Sequence, residues 1–64
     1  MFIRLIDDSN REVFVNALSI KFMRSHMSDI TEHTTLYFDR DYSLVVKESM
    51  KKLISQIENP ELKL

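Results

Sequence analysis

The group that most resembles a metal site in this sequence consists of two histidines and two carboxylates within eight residues. His26 and His33 flank Asp29 and Glu32, and imidazole and carboxylate are both zinc ligands. Zinc requires three or four ligands in fixed positions, and the His-x6-His spacing matches no established motif. We therefore predict no metal and no cofactor, and we interpret the two histidines as exposed side chains.

Two pairs of acidic residues are candidates for acid–base chemistry, Asp7 with Asp8 and Asp39 with Asp41. Such catalysis requires a carboxyl group whose pKa is raised in an apolar cleft. Both pairs lie in predicted turns, where water would reach them. The serines lack a motif that would pair one with a base, and no glycine-rich loop is present to hold phosphate. The sequence therefore predicts that the protein is not an enzyme.

Basic and aromatic side chains are interleaved along the chain, a combination that β-sheet platforms use to stack single-stranded nucleic acid. The candidate nucleic-acid contacts are Arg4, Lys21, Arg24, Lys51 and Lys52. Nine basic residues are nevertheless balanced by ten acidic residues, for a formal net charge of −1. Because a basic excess is the electrostatic signature of nucleic-acid binding, a nucleic-acid-binding regulator is the alternative hypothesis rather than the first.

The elements that must position these residues are mainly strands. Segments rich in β-forming residues and separated by polar turns predict strands at 2–6, 11–15, 20–24, 30–38 and 42–46. Asn16 is expected to cap a brief helical turn, and residues 25–29 are expected to interrupt the third segment. The chain has no glycine, so its turns must be long or must place Asn or Asp in left-handed conformations.

A change of period near Ser49 predicts a C-terminal helix. Apolar residues recur there at spacings of four, three and four, namely Val46, Met50, Leu53 and Ile57, which is the stripe of an amphipathic helix. Ser49 is a suitable N-cap, and Glu48 beside it would favour the positive end of the helix dipole. Pro60 disfavours helical geometry at the preceding residue, so the helix should end near Glu58.

These elements predict an α+β fold: a small antiparallel β-meander of three to four strands with one C-terminal amphipathic helix packed on one face. A single domain is expected over residues 1–59, with a frayed tail at 60–64. A core of this size rarely supplies more than about 3–5 kcal/mol, and the chain has no cysteine for disulfides. We therefore expect a homo-oligomer. No run approaches the roughly 20 apolar residues of a membrane span, so we expect a cytoplasmic protein.

Two runs, "FVNALSI" (14–20) and "VVKES" (45–49), together with the "IRL" of the first strand, resemble the FlbD/SwrD family of small flagellar-associated proteins. The resemblance covers roughly Phe2 to Ile57. It implies a short cytosolic protein linked to motility, with no accepted enzymatic activity. The chain departs from the family pattern at "DDSN" and "DRD", where the family usually has glycine. Its central hairpin is also longer and lacks the family's proline-containing loop.

The best functional indication in the sequence is an apolar second face of the sheet. One helix covers one face, and the parity of Phe14 and Met23 places apolar side chains on the other, where they would mark an interface. The tentative interaction residues are Phe14, Met23, Met27, Thr31, His33 and Tyr37. The strand at 30–38 is expected to be an open edge that recruits a partner strand.

The first hypothesis is therefore a non-catalytic regulatory module that acts by protein–protein contact. A small inhibitor from a mobile element that binds a host protein would use the same contacts, so this alternative stays open.

Overall fold

The computed structural model describes residues 1–39 and 41–58. Its elements are β1 (Phe2–Ile6), β2 (Glu12–Asn16), a 3-10 turn (Ala17–Ser19), β3 (Phe22–Ser28), β4 (Thr31–Asp39), β5 (Tyr42–Val46) and α1 (Met50–Glu58). The predicted α+β class with a C-terminal helix is confirmed. Asn16 caps the 3-10 turn as predicted, because its side-chain oxygen accepts the N–H of Leu18 at 3.1 Å. The predicted tail and the role of Pro60 lie outside the described residues.

The strands form an antiparallel ribbon, β1–β2, and an antiparallel three-stranded meander, β3–β4–β5. The ribbon joins the meander where β1 ends beside β5, since Asp7 pairs with Val46 and the N–H of Lys47 donates to the carbonyl of Ile6 at 2.9 Å. β4 lies between β3 and β5. The expectation that the strand at 30–38 is an open edge is therefore wrong. The edge strands of the meander are β3 and β5, and β1 bridges β5 at Val46.

Two left-handed residues replace glycine in the hairpins, as the composition requires. Asn10 has φ 68° in the β1–β2 turn, and Asp29 has φ 57° between β3 and β4. Asp29 and Ile30 alone connect these two strands, so β3 continues to Ser28. The expected interruption at residues 25–29 is wrong, because a two-residue turn lets the polar end of β3 pair fully with β4.

The core lies between the ribbon, the inner face of the meander and α1. Its buried side chains are Ile3, Leu5, Val15, Ala17, Leu36, Val46 and Leu53. Leu5 comes from the ribbon, Leu36 from the meander and Leu53 from α1, and all three are fully buried. The helix thus covers one face of the meander, as the spacing of its apolar residues predicts.

The connection from β5 to α1 consists of residues 47–49, and its polar groups form hydrogen bonds with neighbouring elements. Ser49 is the N-cap predicted from the sequence, its hydroxyl accepting the N–H of Lys52 at 3.2 Å. The carboxylate of Glu48 accepts the N–H of Ile6 at 3.1 Å. The carbonyl of Glu48 accepts a hydrogen bond from the hydroxyl of Thr34 at 2.9 Å. The junction therefore ties β1, β4 and the start of α1 together.

Candidate functional site

The face of the meander opposite α1, which we call the outer face, carries a concentration of ring side chains. Side chains alternate between the two faces of a strand, so the burial of Thr34 and Leu36 in β4 assigns the residues between and beside them to the outer face. With their register partners, the outer-face residues are Phe22, Arg24, His26, Ser28, Thr31, His33, Thr35, Tyr37, Ser43 and Val45. Three of the tentative interaction residues are in this set: Thr31, His33 and Tyr37.

One end of the outer face is an aromatic pair. Phe22 and Tyr37 are direct partners across β3 and β4, and their rings stack with centroids 4.4 Å apart and planes 11° apart. The guanidinium of Arg24 lies 5.7 Å from the Phe22 centroid, within the range of a cation–π contact. Although it makes these contacts, Phe22 is 51% exposed. This end therefore presents a fixed apolar surface with one positive charge beside it.

The outer face continues into the two histidines of the chain. His26 and His33 are direct partners across β3 and β4, with ring centroids 5.7 Å apart and planes 17° apart. Nε2 of His26 lies 3.2 Å from the hydroxyl oxygen of Thr35. The sequence separation of the two histidines does not determine the distance between their rings. The register of β3 and β4 brings the rings together. The histidines thus extend the ring surface formed by the aromatic pair.

The carboxylates near the histidines do not complete a ligand set. The carboxylate of Glu32 accepts hydrogen bonds from the hydroxyl of Ser25 at 2.7 Å and from the N–H of Met50 at 3.4 Å. It therefore links β4 to β3 and to the first residue of α1. Nδ1 of His33 is buried without a hydrogen-bond partner. Metal binding at its Nε2 would place a proton on that buried nitrogen with nothing to accept it, at a cost in free energy. Among residues 1–39 and 41–58, no three His, Asp or Glu side chains are grouped to hold a metal.

The other tentative interaction residues are dispersed. Phe14 is exposed on the ribbon, opposite Arg4, and Met27 is exposed near the tip of β3. Met23 packs against the core, so its expected place on the uncovered face is wrong. Ile20 and Met23 both face the core, because strand alternation begins only at Phe22, after the 3-10 turn. Phe22 takes the outer position that parity had assigned to Met23.

The residues proposed for nucleic acid do not form one surface. Arg4 is paired with Glu12 on the ribbon, and Arg24 lies on the outer face of the meander. Lys51 and Lys52 are exposed on α1, which packs on the opposite side of that sheet from Arg24. Lys21 precedes β3. A nucleic-acid backbone would need several of these charges along a single track, and the fold separates them.

An open groove adjoins the aromatic end of the outer face. It is lined by Lys21, Phe22, Tyr37, Phe38, Asp39 and Asp41. The ring of Phe38, which lines the groove, lies beside that of Tyr42, with centroids 5.2 Å apart. Apolar walls with a mixed-charge rim are typical of a recess that receives a side chain from a binding partner.

Asp7 organises the β1–β2 turn and is 5% exposed, so the expectation that water reaches it freely is wrong. Its carboxylate accepts the N–H of Arg11 at 2.8 Å and the N–H of Ser9 at 3.0 Å, and Nε of Arg11 lies 3.2 Å away. The backbone N–H of Arg11 is the main cause that lowers the pKa of Asp7, against the opposing effect of burial. The carboxylate is therefore stabilised in its charged form, which is the opposite of what a catalytic acid requires.

Because the pKa of Asp7 is lowered in the folded protein, protonation of Asp7 at low pH should reduce the free energy of unfolding. The stabilisation should be fully present above the unfolded pKa of about 3.8 and be lost as the pH falls through the lower folded value. Urea unfolding between pH 6 and pH 2.5 measures this slope. Asp7→Asn should flatten the slope and reduce stability at pH 6, whereas Asp8→Asn, in the same turn, is the matched control. Equal slopes for the two variants would contradict the assignment.

Comparisons of the chain with protein-family models, with curated proteins and with solved structures found no match. The resemblance to the FlbD/SwrD family accordingly depends on the residues quoted for it. Within the described part of the chain, no helix has the length and apolar character needed to cross a membrane.

Proposed function

We propose that the protein is a non-catalytic regulatory module that binds another protein chain through its outer face. The observation that carries the proposal is the presence of two stacked ring pairs on the same face, Phe22 with Tyr37 and His26 with His33. Arg24 and Thr35 lie between the two pairs. Arg24 is the single formal charge among the outer-face residues defined above. Aromatic residues and Arg are enriched in protein interfaces, where a few of them contribute most of the binding energy.

Protein is favoured over nucleic acid by the positions of the charges. The five candidate basic residues are divided among the ribbon, the segment before β3, the outer face and the helix, and Arg4 already has a carboxylate partner in Glu12. The ring of Phe22 already contacts Tyr37 and Arg24. A base would have to displace one of these contacts to stack there, and little phosphate neutralisation would compensate for that loss.

The resemblance to the FlbD/SwrD family supports a cytoplasmic location and a role in motility. An inhibitor from a mobile element would bind through the same kind of face, so the two contexts differ in the partner rather than in the chemistry. Loss of swimming on deletion of the gene, restored by the wild-type chain and not by an outer-face variant, would support the motility context. Normal swimming after deletion of the gene would contradict the motility context.

The test of the outer face combines Phe22→Ser with Tyr37→Ser and uses Ile30→Ser as the matched control. Ile30 is 94% exposed at the hairpin tip, at the opposite end of the β3–β4 pair from Phe22 and Tyr37. Each tagged chain is expressed in the source cells and cross-linked to the proteins that it contacts. The protein captured by the wild-type chain is identified first, and its capture by each variant is then measured. The double variant should lose capture by at least about thirtyfold, which corresponds to removal of a binding hot spot of about 2 kcal/mol.

Thermal unfolding of each variant, followed by circular dichroism, must show that the folds are intact before capture is compared. Equal capture by the wild-type chain and the double variant would overturn the proposal. A salt-dependent electrophoretic shift with single-stranded RNA or DNA, abolished by the double variant, would replace it with the nucleic-acid alternative.

A further inference from the structure

Of the two edge strands of the meander, β5 is bridged by β1 at Val46, whereas the seven residues of β3 pair with β4 on one side and with no described strand on the other. Every second residue of such a strand directs its N–H and C=O groups away from its neighbour. Natural edge strands are commonly protected by lysine, proline, bulges or shortness. The strand Phe22–Ser28 contains no lysine or proline, and six of its seven residues are exposed. Its backbone is therefore available to a further strand.

The sequence of β3 suits an antiparallel copy of itself. A two-fold axis through Ser25 gives the longest overlap, with Ser25 opposite Ser25 of the second copy. Met27, which is 63% exposed, then meets Met23 of the second copy, so flexible apolar side chains cover each other. Arg24 meets His26 of the second copy on the outer face. A neutral imidazole can accept a hydrogen bond from a guanidinium group, and β3 has no carboxylate to disturb that pairing.

We infer that two copies of the chain associate by antiparallel pairing of their β3 strands about Ser25, which extends the two meanders into one six-stranded sheet. This contact is isologous, so it closes at the dimer and leaves no β3 edge open. It also adds buried surface to a domain whose own core is small. Arg24 and His26 belong both to this contact and to the outer face, but the contact is centred on the backbone at Ser25 and does not require the ring of Tyr37 on β4. The Ser25→Cys test therefore addresses this inference, and the double variant of Phe22 and Tyr37 addresses the proposed function, so the two can fail separately.

A single cysteine at the axis tests this inference, because the chain has no cysteine of its own. Directly opposite residues of antiparallel strands have Cβ atoms about 4.5–5.5 Å apart, close to disulfide range. With oxidised glutathione, Ser25→Cys should form a covalent dimer at least about tenfold faster than Ser43→Cys, an exposed position on β5, since pairing raises the effective thiol concentration. Equal rates, together with a monomer mass by light scattering, would overturn the inference.

Charge reversal tests the register without a covalent bond. His26→Arg places an arginine opposite Arg24 of the second copy at two symmetric positions, and like charges directly opposite are destabilising. The dissociation constant should rise by about tenfold. Adding Arg24→Glu to the same chain should restore dimer formation, because each introduced arginine then faces a glutamate. Weakening by His26→Arg that Arg24→Glu does not reverse would contradict the register, provided that circular dichroism shows both variants folded.

Discussion

Replacing Leu53 with alanine is expected to leave the protein largely unfolded at room temperature. Leu53 is fully buried where α1 meets the ribbon and the meander. A Leu→Ala change at such a site costs about 2–5 kcal/mol, through lost burial and the cavity that remains. A core of this size supplies about 3–5 kcal/mol in total. Urea unfolding followed by circular dichroism should show little or no folded baseline.

Ile54→Ala is the matched control for this prediction. Ile54 is the next residue on the same helix, but it is 40% exposed, so truncation there removes a similar side chain without opening a closed cavity. We expect its unfolding midpoint to stay close to that of the wild type. If Leu53→Ala and Ile54→Ala unfolded at the same urea concentration, α1 would not be packed through Leu53.

The second large effect is expected at the junction between β5 and α1. Glu48→Ala removes the carboxylate that accepts the N–H of Ile6, and this N–H lies in a part-buried region of β1. An unsatisfied donor of this kind costs about 1–3 kcal/mol. The unfolding midpoint should fall, and the Ile6 amide should exchange faster with deuterium than in the wild type.

Glu58→Ala serves as the comparison, because Glu58 is an exposed glutamate at the last turn of α1. Its removal should change stability by no more than about 0.5 kcal/mol. Glu48→Gln keeps one oxygen that can accept from Ile6, so it should lose less stability than Glu48→Ala. Protection of the Ile6 amide that is unchanged in Glu48→Ala would show that this hydrogen bond does not hold β1 to the junction.

The elements of the fold were predictable wherever the signal is local. Runs of β-forming residues beside polar turns marked β1 and β5 with the bounds that the structure gives, and the stripe through Leu53 marked α1. Asn16 and Ser49 were predictable as caps because a cap depends on a side chain and an N–H two or three residues away. The absence of glycine left two alternatives, longer loops or left-handed Asn and Asp, and the second occurs at Asn10 and Asp29.

The candidate site was less predictable because it depends on register. The pairing of His26 with His33 follows from the two-residue turn at Asp29 and Ile30, and a turn one residue longer would have separated the rings. The position of Phe22 depends on where alternation restarts after the 3-10 turn, which the pattern "IKFMR" does not determine. The central place of β4 depends on partners on both sides, and these are set by tertiary contacts.

The bond between Glu48 and Ile6 joins residues 42 positions apart, and this has a consequence for biosynthesis. During synthesis β1 leaves the ribosome before β5 and the junction, and Glu48, which bonds to β1, follows Ile6 by 42 positions. High contact order of this kind slows folding, because chain entropy is lost before the distant contacts form. We therefore expect the β1–β2 hairpin to stay partly solvated until β5 and Glu48 have been synthesised.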